Sequence, residues 1–147
     1  MYDPNNIFAM ILRGDVPALK VHENSYACAF MDVMPQSDGH TLVVPRAAAC
    51  DLFDIDSRAL AESIKVVQQV AAAIRSAFQP AGVTIAQLNG SVAGQSVLHI
   101  HFHVIPHYEG QLLKGIARAK ADHAVLAKHA DRIRKVMSGL GESMLLK

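Results

Sequence analysis

The sequence predicts an α+β domain with a mainly antiparallel sheet of about five strands, one long helix and a C-terminal helix. Its 147 residues suit one domain with a single hydrophobic core. Short β-prone runs lie on both sides of one long run with helical periodicity, an order that favours α+β architecture. No repeat or linker divides the chain, so we predict one domain over 1–147, with a helical extension over about 111–147.

The individual elements follow from local signals. A first helix is expected over 7–12, because Asn6 is a favourable N-cap and Gly14 follows its end. Five apolar or β-branched runs bounded by turn residues predict strands over 19–22, 26–32, 41–44, 83–88 and 97–105. Apolar residues spaced by three and four predict helices from Asp56 or Ser57 to about Phe78 and from Asp122 to about Met137.

Composition argues against several classes of partner. The net charge of +1 offers no basic surface for nucleic acid. No apolar run approaches the ~20 residues of a membrane span, and the polar N-terminus lacks a signal-peptide pattern. Two cysteines are too few for a disulfide framework and indicate free thiols in a reducing cytoplasm.

Three histidines alternate with apolar residues just before Pro106, namely His99, His101 and His103. Because successive side chains of a strand point to opposite faces, these imidazoles should share one face at intervals of about 6.6 Å, and Pro106 should end the strand. Such a face suits nucleophilic or acid–base chemistry. The residues alone leave two alternatives open, a metal site and a merely structural polar face.

The histidine run resembles the signature of the histidine triad superfamily of nucleotide-binding hydrolases and transferases. The segment from Gly39 to Arg46 is similar to the family's upstream strand, with His40 as its fourth histidine. Asn89 and the turn 94–96 are similar to the family's phosphate-binding turn. The resemblance covers roughly residues 5–108 and leans towards the bacterial and fragile-histidine-like branches.

The resemblance implies catalytic roles for five residues. His101 would attack the α-phosphorus of a nucleotide and form a covalent nucleotidyl-histidine that water cleaves. A neutral imidazole is a competent nucleophile near neutral pH. His99 and His103 would fix the tautomer of His101 and donate hydrogen bonds to phosphate oxygens, while His40 would hold the rings in register. Ser96 would pass a proton to the leaving group.

The resemblance also implies the substrate contacts. Asp32 would accept both ribose hydroxyls through its two carboxylate oxygens. The remaining contacts are expected from two groups of residues, at the phosphate Asn89, Gly94, Gln95 and Ser96, and at the base Ile7, Phe8, Phe30 and Val33.

Two departures from the family pattern bear on cofactors. Many bacterial relatives hold a structural zinc, but the matching positions here are Asn6, Ala9 and Ala48, which leaves only His99 as a ligand. We therefore expect no structural zinc and no required cofactor, with Mg²⁺ present only where it accompanies a polyphosphate substrate. His107 replaces a common arginine, which weakens any polyphosphate contact there.

The predicted protein is a cytoplasmic homodimer that cleaves purine nucleoside phosphoramidates or dinucleoside polyphosphates at the α-phosphate. Two alternatives remain, a nucleotide-binding or scaffold protein with little turnover and a metal-dependent hydrolase built on the same histidine strand. The long helix over 56–78 and the strand over 83–88 are expected to supply the dimer surface.

Overall fold

A computed structural model describes residues 1–115 and 120–145, with the backbone alone described from 140 onward. The elements, in chain order, are α1 Ile7–Leu12, β1 Lys20–Glu23, β2 Ala27–Met31, β3 Thr41–Pro45, α2 Ser57–Phe78, β4 Gly82–Gln87, β5 Phe102–His107 and α3 His123–Leu145, with a short 3₁₀ turn at Ser91–Ala93. The expected α+β architecture with a five-stranded antiparallel sheet and a long helix is confirmed.

The sheet has the order β1-β2-β3-β5-β4, and every neighbouring pair is antiparallel. Strand β5 therefore lies inside the sheet, between β3 and β4. His103 stands directly opposite Leu42 on one side and Ala86 on the other. Pairing on both sides fixes the position of this histidine more firmly than an edge strand would.

The two faces of the sheet are covered differently. Helices α2 and α3 pack on one face, where Val43 and Phe102 contribute to the main core. On the other face, Phe8 of α1 packs with Leu42 and Val44. Because side chains alternate along a strand and Leu42 is opposite His103, the histidine lies on the face that α1 only partly covers.

The helix boundaries follow from their caps. Asn6 accepts a hydrogen bond from the Ala9 N–H, and Asp56 accepts from two backbone N–H groups at the start of α2. Gln79 ends α2 with a φ of 49°. Helix α3 continues to Leu145, beyond the expected end. Residues 111–115 are not helical, and 116–119 and 146–147 of the expected extension lie outside the described residues.

Strand β5 differs from its expected boundaries at both ends. It begins at Phe102 rather than at Val97, and it continues through Pro106 instead of ending there. Pairing with β3 reaches only to Val104, so the missing N–H of Pro106 removes no ladder bond. The Pro106 carbonyl on that side accepts from the Ser37 hydroxyl at 2.6 Å. No helix among the described residues is long and apolar enough to cross a membrane.

Candidate active site

Three of the four candidate histidines bring their rings together on the α1 face. The ring centroids of His101 and His103 are 5.1 Å apart, and those of His103 and His40 are 5.2 Å apart. His103 lies on β5, His40 directly precedes β3, and His101 lies just before the first residue of β5. The site therefore lies across the antiparallel pairing of β3 with β5.

His101 is held in one tautomer by the backbone. Its Nδ1 is 2.7 Å from the carbonyl oxygen of His99, which can only accept, so Nδ1 carries the proton and Nε2 carries the lone pair. Burial lowers the pKa of His101 below its ordinary value of 6.5. The Phe8 ring packs nearly perpendicular to the His101 imidazole, with the two ring centroids 4.8 Å apart. His101 is thus neutral, and its Nε2 carries a lone pair in a fixed orientation.

A second chain of hydrogen bonds sets the tautomer of His103. The Gln36 N–H donates to Nδ1 of His40 over 3.0 Å, which leaves the proton of neutral His40 on Nε2. That Nε2 lies 2.9 Å from Nδ1 of His103 and donates to it. The remaining proton of His103 is therefore on Nε2. Burial and the charge of His101 lower the pKa of His103 to about 4, so it is a neutral donor.

Asp32, His40 and His103 also place three potential metal ligands within 4.8 Å of one another. A histidine bound to a metal normally donates from its other ring nitrogen. Here the other nitrogen of His40, Nδ1, accepts from the Gln36 N–H, and a metal on Nε2 would force a proton onto Nδ1 against that donor. The donor set favours a hydrogen-bond relay over a metal site.

Both carboxylate oxygens of Asp32 already have neighbours in the protein. Its Oδ1 accepts from the Met34 N–H at 2.9 Å, and its Oδ2 lies 3.4 Å from Nε2 of His40. A carboxylate oxygen can accept more than one hydrogen bond, so contact of both oxygens with ribose hydroxyls stays a prediction. The side chain is 17% exposed, so a ligand still reaches it from one side.

His99 is buried away from any substrate. Its Nε2–H donates to the Pro45 carbonyl over 2.7 Å, and its Nδ1 accepts from the Tyr2 hydroxyl over 2.6 Å. The expectation that the His99 ring donates to phosphate is wrong, because both ring nitrogens already have partners. It is the backbone carbonyl of His99, and not its ring, that fixes the tautomer of His101.

The same contacts bear on the zinc that many bacterial relatives hold. Neither nitrogen of His99 offers a lone pair to a metal, since one donates to Pro45 and the other accepts from Tyr2. Asn6 uses its side-chain oxygen to cap α1, and Ala9 and Ala48 have no ligand atoms. These residues do not fit a structural zinc.

The turn before the histidines satisfies its own polar groups, contrary to the expectation that Gly94 and Gln95 receive phosphate. The Gly94 N–H donates to the Ser91 carbonyl over 3.0 Å. The buried Gln95 amide accepts from the Gly90 N–H and donates to the Cys50 carbonyl. Because a buried amide is normally hydrogen-bonded, Gln95 is needed to hold the loop.

Asn89 has a similar structural use. Its side-chain oxygen accepts from the Leu52 N–H at 2.9 Å, and its amide also pairs with Gln87, so it connects two loops instead of facing phosphate. Ser96 differs, because its side chain is exposed and its hydroxyl makes no hydrogen bond within 1–115 and 120–145. Of the four residues expected at the phosphate, Ser96 is the one with a polar side chain available to a ligand.

The four residues expected around the base divide into two pairs. Phe8 and Phe30 are buried and pack edge to face with centroids 5.7 Å apart, so they support the His101 ring and offer little surface to a base. Ile7 and Val33 are 43% and 48% exposed. Contact between a base and this second pair stays a prediction.

Sequence reasoning missed three groups that position the histidines, namely the Tyr2 hydroxyl, the Gln36 N–H and the Pro45 carbonyl. Backbone groups occur at every residue and give no sequence signal. Tyr2 lies in a polar N-terminal segment without periodicity. The structure reveals all three, because each is the hydrogen-bond partner of a ring nitrogen of a buried histidine.

Acid pH should destabilise the fold through these neutral histidines. The pKa of His103 is about 4 in the folded chain against an ordinary 6.5, so between these values the unfolded chain binds the proton first. We expect the free energy of unfolding to fall as pH drops from 6.5 towards 4, as measured by urea denaturation. The variant His103→Asn should show a shallower dependence, and identical slopes for both proteins would contradict the assignment.

Comparison with known proteins agrees with this geometry. The HIT domain family model matches residues 13–110. A Hit-like protein involved in cell-cycle regulation from Bartonella henselae superposes with a TM-score of 0.86 at 41% identity, covering 92% of this chain and 99% of that one. A hypothetical histidine triad nucleotide-binding protein from Sulfolobus tokodaii gives a TM-score of 0.83 at 30% identity, covering 90% and 92%.

A relative with a named activity is adenosine 5'-monophosphoramidase hnt1 of Schizosaccharomyces pombe. It is 37% identical over 100 residues, which are 68% of this chain and 72% of the relative. The fold and the histidine arrangement define an α+β protein with a histidine site. The chain belongs to the histidine triad (HIT) family, whose members bind nucleotides and often hydrolyse them.

Proposed function

We propose that this chain hydrolyses purine nucleoside phosphoramidates through a covalent nucleotidyl-His101 intermediate. The observation that carries the proposal is the pair of opposite tautomers in neighbouring rings. His101 presents a lone pair at Nε2, whereas His103 presents a proton at Nε2. One ring is therefore suited to attack a phosphorus atom, and the other to donate to its oxygens.

The chemistry balances with the residues present. Nε2 of His101 bonds to the α-phosphorus, the bond from phosphorus to the leaving nitrogen breaks, and Ser96 relays a proton from solvent to that nitrogen. Nε2–H of His103 donates to a phosphate oxygen as negative charge develops. Water then attacks phosphorus and its proton passes to solvent. The bond between phosphorus and Nε2 of His101 breaks, and its electron pair returns to Nε2.

Phosphoramidates are favoured over dinucleoside polyphosphates by two observations. The relative from S. pombe is a monophosphoramidase. At the position where relatives commonly have arginine, His107 lies 2.7 Å from the Thr84 hydroxyl and adds no permanent charge for a polyphosphate chain. Dinucleoside polyphosphates are the second candidate substrate class.

A turnover panel tests the proposal. Purified protein is incubated with adenosine and guanosine phosphoramidates, adenylyl-lysine and diadenosine polyphosphates, each with and without excess chelator. We expect release of nucleoside monophosphate from phosphoramidates at a rate that chelator does not change. No turnover of any substrate, with nucleotide still bound, would favour the binding or scaffold alternative, and loss of activity in chelator would favour a metal-dependent hydrolase.

We also propose a homodimer formed through the β4 edge of the sheet and the adjoining face of α2. Among the described residues, strand β4 pairs only with β5, and Ile85 on β4 and Ile64 on α2 are 44% and 45% exposed. Exposed apolar residues beside an unpaired edge indicate a surface that associates.

Sedimentation tests this assembly. The protein should sediment as a dimer at micromolar concentration, and Ile85→Lys should shift it towards monomer, because a charge at the edge disfavours strand pairing. The exposed Val125→Lys on α3 is a matched control expected to stay dimeric. A wild-type monomer at that concentration would overturn the assembly.

The proposed location is the cytoplasm. Cys28 is buried, Cys50 is partly exposed, and both are free. Free thiols persist in a reducing compartment.

A further inference from the structure

The segment that carries His101 is not held by the sheet. Pairing of β3 with β5 ends at Val43 opposite Phe102. Within the part of the chain that the structure describes, Ile100 is the one residue of the three before Phe102 whose N–H donates to a backbone carbonyl, that of Ala49 over 2.9 Å. The position of the His99 carbonyl, which orients His101, therefore depends on side-chain anchors.

The His99 ring is the main such anchor. Its Nε2–H reaches the carbonyl of Pro45, the next-but-one residue of β3 after the ladder ends, so a side chain replaces the missing ladder bond. Its Nδ1 accepts from the Tyr2 hydroxyl over 2.6 Å, and the Tyr2 ring packs against it at 5.5 Å. Tyr2 thus makes the second of the two hydrogen bonds that fix the orientation of this ring.

The N-terminal segment is itself tied to α1. The carbonyl of Asp3 accepts from the backbone N–H of Asn6 at 3.2 Å and from its side-chain amide at 2.7 Å. Asn6 also caps α1, whose Phe8 packs against the imidazole of His101. Tyr2, which contacts His99, and Phe8, which contacts His101, are therefore linked within one N-terminal segment.

We propose that Tyr2 is a positioning residue, which fixes through the His99 ring the carbonyl that holds His101 in its nucleophilic tautomer. This proposal rests on the proposed covalent mechanism for its effect on catalysis. Tyr2 touches no reacting atom. Its hydroxyl donates the hydrogen bond that the buried Nδ1 of His99 requires. This bond keeps the proton of His99 on Nε2, which donates to the Pro45 carbonyl.

Removing the Tyr2 hydroxyl should make the orientation of His101 less fixed while leaving His101 itself in place. In Tyr2→Phe the aromatic ring remains, but Nδ1 of His99 is buried without a donor. The ring is then free to turn or to admit water, and the His99 carbonyl moves with it. We expect kcat for a phosphoramidate to fall about tenfold while KM stays within about twofold, because the orientation of the His101 ring is less well fixed while the residues that bind substrate are unchanged.

A matched control is available at Tyr26, whose hydroxyl has no hydrogen bond among the described residues. Tyr26→Phe makes the same chemical change and should keep wild-type kcat and KM. A wild-type kcat in Tyr2→Phe, or a loss that appears equally in both variants, would overturn the proposal. A purely structural role for Tyr2 would lower the unfolding temperature and leave kcat unchanged, which would also overturn it.

A second readout does not need activity. In protein labelled with ¹⁵N at histidine, NMR reports the proton on Nδ1 of His101 and the unprotonated Nδ1 of His99. Tyr2→Phe should shift the His99 signal and speed solvent exchange of the His101 proton about tenfold, whereas Tyr26→Phe should change neither. Unchanged exchange in Tyr2→Phe would refute the positioning role even if the wild-type protein proved inactive, and inactivity alone would count against the proposed function only.

Discussion

His101→Asn is expected to lose turnover by several orders of magnitude while keeping its fold and its nucleotide affinity. The Asn amide can still donate to the His99 carbonyl, as Nδ1–H of His101 does over 2.7 Å, so the local backbone should hold. No atom of Asn can form the bond to phosphorus that Nε2 forms. Steady-state kinetics and calorimetric nucleotide binding measure the two properties separately.

A control for this substitution lies at the start of α3. His123 is exposed and lies on α3, which packs on the sheet face opposite the candidate histidines, so His123→Asn makes the same chemical change outside the histidine cluster. We expect it to keep wild-type turnover. If His101→Asn retained a rate close to that of wild type, the nucleophile would have to be another residue.

His103→Asn should cost less, about 10²–10³ in kcat. The Gln36 N–H and His40 place the proton of His103 on Nε2, and this donor should strengthen its hydrogen bond only as charge develops on phosphate oxygens. The covalent step itself remains possible without it. The loss should therefore appear mainly in kcat and only weakly in KM.

The ranking of the two histidine variants checks their roles. Parallel measurement of His101→Asn and His103→Asn on one phosphoramidate should give a clearly larger loss at His101. An equal or larger loss at His103 would mean that it, and not His101, makes or breaks the covalent bond.

Helix positions and sheet composition could be predicted because they depend on periodicity and on caps that the sequence displays. Asn6 and Asp56 are the caps expected and observed, and α2 ends at Phe78 as predicted. The ends of β5 could not be predicted, since Pro106 is tolerated only because β3 no longer pairs beside it. Pairing partners decide such boundaries, and they are distant in sequence.

The sequence predicted the cluster of histidine rings but not the hydrogen-bond partners of each ring. The histidine spacing correctly indicates a cluster, and the rings of His101, His103 and His40 do meet. The spacing cannot reveal that both ring nitrogens of His99 already have partners within the protein, because the Pro45 carbonyl and the Tyr2 hydroxyl are distant in sequence. Gln95 was likewise misassigned, since its partners are backbone groups of loops brought together by folding.

The most direct measurement of the central claim is capture of the covalent intermediate. Protein is mixed with an adenosine phosphoramidate and the reaction is quenched without acid within the first turnovers. The protein is then digested, and the masses of its peptides are measured by mass spectrometry. The covalent mechanism predicts one added adenylyl group on the peptide that contains His101, and none in His101→Asn. An adduct on another residue, or turnover without any adduct under conditions where it should accumulate, would contradict nucleophilic attack by His101.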